Sequence, residues 1–471
     1  MKIKILIIFA ITLLPDCWGQ AFKNIGKEQA MTDLQIIRKS VEEIHPGLNR
    51  FGQQAGFVSR YDSICRILSR YDTINNLEFF RLVNPLMTSI KCGHVKFLPP
   101  VKDFPFYYYQ DNLLPFIVRF DGENRLFIVE AQNDLLRGKY LEKINGQPIL
   151  DILKILRGNM FVDGNVQTSA NAQIQQYFSA WYADFIQNST NLDVVLSDNS
   201  GSIKQLNVTG ISIAAWQQIN KRIGFLGKQN ELSFVNDSTA FLRIASFMPE
   251  TSNRDFLKFL SKSFKNITQK NIENLIIDVR GNEGGNDKLG KELYSYIARN
   301  NFKYYERIEL RVNRKKNITF HKLAYFPRFI GIASLLVRKR KDGSLLWVRH
   351  QNLGNHRPKK NAYKGMVTFL EDGLSFSVTS EFLAIAKTEK RGKFVGEESG
   401  GSYSGDNSGA FVIVKLPASG IDVGIPIAGY YSAVKDDAQF SRGILPDTEV
   451  KPTASDLLEN RDTVLNFILK N

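Results

Sequence analysis

The chain has 471 residues, of which 43% are hydrophobic and 23% are charged, which is ordinary for a globular protein with two or three domains. The net charge of +15 at pH 7 does not indicate nucleic-acid binding, because almost all of the excess positive charge lies in one segment. Residues 303–360 hold 16 Lys and Arg against 3 Asp and Glu. The rest of the chain is therefore near neutral, and no internal apolar run is long enough to span a bilayer.

The N-terminus has the layout of a secretory signal peptide at residues 1–19. Lys2 and Lys4 precede an apolar run over residues 5–15, and small or polar residues follow, with cleavage expected after Gly19 or Ala21. Cys17 would be a lipid-attachment site only with a small residue before it, and Asp16 stands there instead. We therefore expect soluble export to the periplasm or the extracellular space.

Residues 22–225 are predicted to form two units. Residues 22–100 have apolar residues at helical spacing and are predicted to be a helical cap. Residues 101–225 are rich in strand signals, with a hairpin around Asp121-Gly122 and a strand–turn–helix at Asn145-Gly146, and are predicted to be a β-rich domain.

Residues 226–471 alternate between strand and helix patterns. This alternation predicts an α/β core of βαβ units over residues 226–471, interrupted by the basic segment 303–360, which we expect to be looped out. The basic segment is interpreted either as a solvated insertion or as a docking surface for anionic lipid or an acidic partner. Within it, residues 326–341 are apolar and then strongly basic, which would suit contact with a membrane surface.

A glycine-rich turn follows a buried strand in LIIDVRGNEGGND, at residues 275–287. It does not fit the phosphate-binding or dinucleotide-binding patterns. Two interpretations stay open: a tight strand–helix turn, or an oxyanion hole made from the backbone N–H of Gly284 or Gly285.

Three serines, Ser375, Ser377 and Ser380, lie where the strand pattern GMVTFL gives way to a helix pattern. Either they cap the helix, or one of them is a nucleophile whose oxyanion is bound by the N–H of Val378. The G-x-S-x-G motif of α/β-hydrolases is absent from the sequence, so that fold does not account for the serines.

A serine nucleophile needs a base, and among the five histidines His94 is either that base or an ordinary packed or surface histidine. It lies in CGHVKF, between the predicted cap and the first strands, where clefts form. Cys65 and Cys92 are too few for a disulfide framework, although an oxidising compartment would allow them to pair. The sequence has no cysteine and histidine cluster at zinc spacing, so we expect no metal and no cofactor.

Seven motifs in this order resemble the C-terminal processing (tail-specific) protease family. They are CGHVKF, KYLEKINGQPI, LRIASF, LIIDVRGNEGGN, SFSVTSEF, GKFVGEESGGSYSG and GILPDTEV. The resemblance covers residues 30–455 and points to the tricorn-like and interphotoreceptor-retinoid-binding-protein-like branch. It implies a crotonase-like or ClpP-like βαβ spiral as the catalytic core.

The resemblance also implies roles for individual residues. The nucleophile falls on Ser377, at the family's usual interval before Gly396, and the oxyanion hole falls on Gly284 and Val378. Glu381 departs from the pattern, because the family's glutamate usually stands three residues after the serine rather than four.

The base implied by the resemblance distinguishes the branches. Processing proteases use a lysine where this chain has Ser402, whereas the tricorn-like branch uses a histidine that corresponds to His94. Gly93 stands where tricorn protease itself has a serine. The candidates for the acid that orients the histidine are Glu398, Asp436 and Asp437.

The resemblance predicts an exported serine endopeptidase that acts on peptides or unfolded protein termini. KYLEKINGQPI is similar to part of a PDZ module, which binds an extended peptide as an added strand, although an ordinary small β-domain is an equal alternative. One competing hypothesis is an inactive peptide- or ligand-binding protein of the same fold. Another is a basic membrane-docking or scaffold protein. No nucleic-acid partner is expected, and no oligomeric state is predicted.

Overall fold

The computed structural model describes most of the chain. The described residues are 22–100, 104–122, 124–223, 227, 229–327, 336–341, 344–435 and 440–470. The predicted signal peptide at residues 1–19 lies outside the described residues. The same is true of Asp436, Asp437 and part of the predicted membrane-contact segment 326–341.

The N-terminal segment is a group of three helices, where the sequence predicts a helical cap. Its elements are β1 (Asn24–Gly26), α1 (Lys27–Ile44), α2 (Gln54–Leu68), β2 (Thr73–Asn75), α3 (Asn76–Thr88) and β3 (Lys96–Leu98). Apolar residues spaced by three and four form the buried face of α1. This helix ends at Ile44 because Pro46 favours an extended conformation at the preceding residue, His45.

The next segment contains an antiparallel sheet and four helices. Its elements are β4 (Phe116–Asp121), β5 (Arg125–Ala131), β6 (Tyr140–Ile144), β7 (Gln147–Pro148), α4 (Ile149–Gly158), α5 (Gln167–Gln176), α6 (Phe178–Phe185), β8 (Asn191–Ser197), β9 (Ile203–Thr209) and α7 (Ile213–Asn220). The strands lie in the order β4-β5-β6-β8-β9, with β7 beside β6. The hairpin expected around Asp121-Gly122 is present as β4-β5, and β8-β9 is a second antiparallel hairpin.

The remaining elements begin with a strand–helix alternation. The first are β10 (Glu231–Phe234), β11 (Thr239–Arg243), α8 (Asn253–Gln269), β12 (Asn274–Asp278) and α9 (Asp287–Ser295). The basic segment contributes β13 (Phe302–Lys303), β14 (Tyr305–Leu310), 3-10 turns at Lys315–Asn317 and His321–Leu323, β15 (Ala324–Tyr325), β16 (Val337–Lys339), β17 (Leu345–Trp347) and β18 (Asn355–His356). The last are β19 (Met366–Glu371), α10 (Val378–Thr388), β20 (Lys393–Gly396), β21 (Asn407–Lys415), β22 (Asp422–Ser432), β23 (Thr448–Glu449), α11 (Ala454–Leu458) and α12 (Thr463–Lys470).

The α/β core is built on a six-stranded sheet in the order β10-β11-β12-β19-β20-β23. Every neighbouring pair from β11 to β23 is parallel, and only β10 is antiparallel. Because parallel strands end at the same edge of a sheet, the loops after β12, β19 and β20 lie side by side. Such an edge is where α/β proteins usually bind their ligands.

The basic segment 303–360 is not looped out as the sequence predicts. It interrupts the parallel sheet between β12 and β19, but β14, β15, β16 and β17 join β21 and β22 in a second sheet, to which β3 also pairs. Burial explains the difference, because β14 places Tyr305, Ile308 and Leu310 in the protein interior. The described Lys and Arg residues of this segment therefore lie on folded chain that forms part of a sheet.

Two large apolar cores hold these layers together. One continuous cluster joins the helical cap, the β-rich segment and the second sheet, whereas another lies between the parallel sheet and its helices. The cap and the β-rich segment thus share one core. Among the described residues, no helix is both long enough and apolar enough to cross a membrane.

Arg280, directly after β12, is a buried clamp between two parts of the core. Its guanidinium donates to both carboxylate oxygens of Asp278 at 2.9 and 2.8 Å and to both oxygens of Asp462 at 2.8 and 2.7 Å. Asp278 is fully buried and also lies 3.2 Å from Arg243. The clamp fixes the end of β12 and docks the start of the last helix.

We expect Arg280→Leu to lower the free energy of unfolding by about 3–5 kcal/mol, because it leaves buried Asp278 short of a charge partner. Urea denaturation followed by tryptophan fluorescence measures this. Arg461→Leu is the matched control, because Arg461 is 46% exposed and its loss is expected to cost about 1 kcal/mol or less. Equal effects of the two substitutions would show that Arg280 is not a clamp.

Candidate active site

Ser377 lies between β19 and α10 in a strained backbone conformation, with φ 56° and ψ −127°. Non-glycine residues rarely adopt this conformation, which costs on the order of 1–3 kcal/mol. Its neighbours have structural partners: Ser375 Oγ donates to Val279 O at 3.0 Å, and Ser380 Oγ donates to Ser377 O at 3.1 Å. Ser377 occupies the N-cap position of α10, yet its side chain makes no capping hydrogen bond.

Two glycines from neighbouring loops make room for this backbone. A Cβ on Gly284 would lie 2.8 Å from Ser377 Cβ and 2.9 Å from Phe376 O. A Cβ on Gly401 would lie 3.2 Å from Ser377 N and would overlap the Oγ of Ser380. The loops after β12, β19 and β20 therefore meet backbone against backbone at Ser377.

His94 reaches Ser377 from the helical cap, a few residues after α3. Its Nε2 lies 3.1 Å from Ser377 Oγ, and its ring stacks on Phe376 with 4.6 Å between ring centroids. Gly93 permits this packing, because a Cβ there would lie 2.7 Å from the Phe376 ring. A serine at position 93 would therefore clash with Phe376, which gives a steric reason for the departure from the tricorn-protease pattern.

The surroundings of His94 favour the neutral ring. Burial lowers the pKa of His94, the negative charge of Asp406 opposes that shift, and Lys96 adds to it. Asp406 Oδ2 lies 3.8 Å from His94 Nε2. A neutral imidazole at hydrogen-bond distance from a hydroxyl can accept its proton.

A second carboxylate, Asp163, lies beside His94. Its Oδ1 accepts a hydrogen bond from the Gly93 N–H at 2.8 Å, which ties it to the segment that carries the histidine. Burial raises the pKa of Asp163 to about 7, and the charge of Asp406 adds to the shift. Sequence reasoning missed both carboxylates, although FVDGN and YSGDNSG each set an aspartate in a glycine-containing loop.

The predicted orienting acids are placed differently. Glu398 accepts two hydrogen bonds from the Arg442 guanidinium at 2.8 and 2.7 Å and a third from the Gly443 N–H at 2.8 Å. Its described contacts do not include His94. Asp436 and Asp437 lie outside the described residues, so among the described carboxylates Asp163 and Asp406 flank the histidine.

The predicted oxyanion donors differ in their present partners. Val378 begins α10, so its N–H has no acceptor within the helix and lies next to Ser377. The Gly284 N–H, by contrast, donates to Asn282 Oδ1 at 2.9 Å. The Gly284–Gly285 turn lies against Ser377 as the sequence suggests, but one of its N–H groups is already engaged.

A buried polar network lies behind α10 and includes residues of the basic segment. Tyr305 donates to Glu381 Oε2 at 2.6 Å and lies 3.3 Å from Asp287 Oδ2, which is 3.4 Å from His350 Nε2. Burial, together with the charges of Asp406 and Asp287, raises the pKa of Glu381 well above its usual range. The raised pKa favours the neutral form of Glu381 in the folded protein, where it accepts the hydrogen bond from Tyr305.

Cys92 and Cys65 are both free thiols. Cys92 is buried two residues before His94, and its Sγ lies 3.5 Å from Asn407 O. Burial raises the pKa of Cys92 to about 12, so it is a thiol at neutral pH and does not compete with Ser377 as a nucleophile.

The raised pKa of Glu381 gives a pH-dependent prediction for stability. Its pKa is raised on folding, so the unfolded state ionises first and the protein loses stability as pH rises above about 4.3. Glu381→Gln keeps an oxygen acceptor for Tyr305 and does not titrate. We expect this variant to gain stability relative to the unsubstituted protein between pH 5 and pH 8, by at most about 1.4 kcal/mol per pH unit.

Urea unfolding at the two pH values measures this difference. Exposed Glu250, whose substitution by glutamine is expected to change nothing at either pH, is the control. A Glu381→Gln variant whose relative stability stays constant from pH 5 to pH 8 would mean that Glu381 is ionised in the folded protein.

Comparison with known proteins identifies a family domain. Residues 238–450, somewhat less than half of the chain, match peptidase family S41. These residues include β11, β12, β19, β20 and Ser377. A comparison with curated proteins finds no significant match.

Solved structures are similar to nearly the whole chain. Mature CPAF complexed with lactacystin is 14% identical with a TM-score of 0.65, and covers 94% of this chain and 97% of its own. Mature CPAF in another crystal structure is 14% identical with a TM-score of 0.62, and covers 92% and 94%. A putative peptidase from Parabacteroides merdae is 13% identical with a TM-score of 0.48, and covers 94% and 96%.

At these identities the CPAF structures show a shared fold, and the α/β class expected from the sequence is confirmed. The crotonase-like or ClpP-like details of the core stay a prediction. Residues 238–450 therefore contain a region that matches peptidase family S41, in agreement with the tail-specific protease resemblance of the sequence.

Proposed function

We propose that this protein is an exported serine endopeptidase that cleaves peptides or unfolded protein termini, with Ser377 as nucleophile and His94 as base. The observation that carries the proposal is the 3.1 Å approach of His94 Nε2 to Ser377 Oγ, at a serine in a strained conformation. This is the geometry that general-base activation of a hydroxyl requires. The match of residues 238–450 to peptidase family S41 supports the reaction type.

In the first half of the reaction, Ser377 Oγ attacks the scissile carbonyl carbon while its proton passes to His94 Nε2. The tetrahedral oxyanion is held by the Val378 N–H and by a donor from the Gly284–Gly285 turn. His94 then gives the proton to the leaving amine, and the C–N bond breaks to leave an acyl ester on Ser377.

In the second half, a water molecule attacks the ester carbonyl and gives its proton to His94. The C–O bond to Ser377 breaks, and His94 returns the proton to the serine Oγ. Asp406 stabilises the protonated ring in both halves, because its negative charge raises the pKa of His94. The cycle needs no cofactor or metal.

Unfolded segments are the substrates that fit this site best. His94 is only 12% exposed, and its neighbours come from the cap, the β-rich segment and the core. A site enclosed by three chain segments admits an extended peptide more readily than a folded domain. Export is proposed on Lys2, Lys4 and the apolar run at residues 5–15, which are typical of a signal peptide.

One observation favours the alternative of a peptide-binding protein without activity. The Gly284 N–H is already bonded to Asn282, so half of the predicted oxyanion hole is occupied by a protein group. Activity then requires that this bond open or that the Gly285 N–H act instead. The following experiment separates the two functions.

The purified mature protein is treated with a serine-reactive phosphonate, and the adduct is located by peptide mapping. We expect one adduct on Ser377, none in Ser377→Ala, and normal labelling of Ser200→Ala, which alters an exposed serine. His94→Ala is expected to lower the rates of labelling and of casein hydrolysis by roughly 100-fold or more, since it removes the base. Circular dichroism checks that each variant is folded.

An adduct that persists in Ser377→Ala would remove this serine as nucleophile, and full activity of His94→Ala would remove the base. Folded protein that neither labels nor cleaves unfolded casein would favour the binding function.

We expect Asp406→Asn to reduce kcat/KM and to move the acidic limb of its pH profile to lower pH. The negative charge of Asp406 raises the pKa of His94, so its removal makes the ring harder to protonate and a weaker base. Lys96, which lowers the same pKa, provides the opposite control: Lys96→Met is expected to move the limb to higher pH. Limbs that coincide in all three proteins would mean that His94 does not control the profile.

A further inference from the structure

Three side chains beside the candidate base form a group with the chemistry of a metal site. Cys92, His94 and Asp163 each offer one ligand atom, and these atoms lie within 4.8 Å of one another. Cys92 and Asp163 are each only 1% exposed. Two of the residues precede β3, and the third follows α4, so the fold brings them together across two segments.

Two polar atoms in this group have no hydrogen-bond partner among the described residues. They are His94 Nδ1 and Asp163 Oδ2, and both are buried. An unpartnered buried polar atom costs about 1–3 kcal/mol, so two such atoms in one cluster of residues need an explanation. Nε2 faces Ser377, which leaves Nδ1 as the ring atom free to bind something else.

A cation with an affinity for nitrogen, sulfur and oxygen would satisfy both atoms at once. Zn²⁺ binds imidazole nitrogen and carboxylate oxygen at about 2.0–2.2 Å and thiolate sulfur at about 2.3 Å. Ligand atoms already within 4.8 Å of one another need only small side-chain rotations to reach such distances. Three protein ligands would leave the fourth tetrahedral position for water.

We propose that Cys92, His94 and Asp163 bind Zn²⁺ and that this binding inhibits the peptidase. The proposal rests on the function proposed above, because it makes His94 both base and ligand. A neutral imidazole carries one N–H proton. If Nδ1 gives its lone pair to Zn²⁺, that proton must stand on Nε2, where it blocks transfer of the Ser377 proton.

The exchange balances without a further reactant. The Cys92 thiol loses its proton to solvent when the Zn–S bond forms, and a chelator reverses the reaction by removing the metal. No electron is transferred. The site is therefore expected to switch activity off and on with the concentration of free Zn²⁺.

The test measures hydrolysis of unfolded casein by the full mature protein in zinc buffers, with a phosphine reductant present. We expect inhibition of the unsubstituted protein at micromolar free Zn²⁺. Cys92→Ser is expected to keep its basal activity and to need at least tenfold more Zn²⁺. Cys65→Ser, which changes the other described cysteine, is the matched control and is expected to be inhibited normally.

A readout that needs no activity separates this proposal from the proposed function. Co²⁺ added to the protein is expected to give a near-ultraviolet thiolate charge-transfer band, absent in Cys92→Ser and retained in Ser377→Ala. Isothermal titration calorimetry measures the binding of Zn²⁺ to the same variants. The site is wrong if the band is missing or survives in Cys92→Ser, whatever the activity. The inhibitory role is wrong if metal binds and hydrolysis is unchanged.

Discussion

The arrangement at the candidate site depends on the contact between three loop backbones at Ser377. The serine's positive φ is unfavourable by itself, and packing against Gly284 and Gly401 maintains it. That packing requires β12, β19 and β20 to end at one level, which parallel pairing ensures. Arg280 fixes the end of β12 through the carboxylates of Asp278 and Asp462. The position of the glycine turn that follows β12 therefore depends on this buried ion-pair network.

The basic segment illustrates why net charge says little about function here. Its Lys and Arg residues account for most of the charge of the chain, yet its strands complete a sheet with β21 and β22. From the inner face of that segment, Tyr305 and His350 enter the polar network behind α10. The segment that contains the basic residues therefore also places polar side chains against the helix that begins at Val378.

Short-range sequence patterns were sufficient for part of this structure. Strand and helix patterns predicted the parallel βαβ core, and the resemblance to the tail-specific protease family singled out Ser377 and His94, which the fold brings to 3.1 Å. What the sequence could not predict depends on contacts between distant segments. Asp163 reaches Gly93 across 70 residues, and the pairing of β14 with β22 crosses more than 100. The engagement of the Gly284 N–H by Asn282 is local, but it depends on a side-chain rotamer that no motif encodes.

The two carboxylates beside His94 have different consequences for its ring. A histidine that accepts a proton on Nε2 must carry its own proton on Nδ1, and an acid near Nδ1 normally stabilises that tautomer. Asp163 lies within 4.8 Å of a ring nitrogen and has an unpartnered oxygen, whereas Asp406 lies on the Nε2 side. An ionised Asp163 acting on Nδ1 would favour the tautomer that acts as a base, whereas a metal ion bound between the same two residues would impose the other one. Asp163 acting alone and Asp163 bound to a metal ion would therefore have opposite effects on the activity of the site.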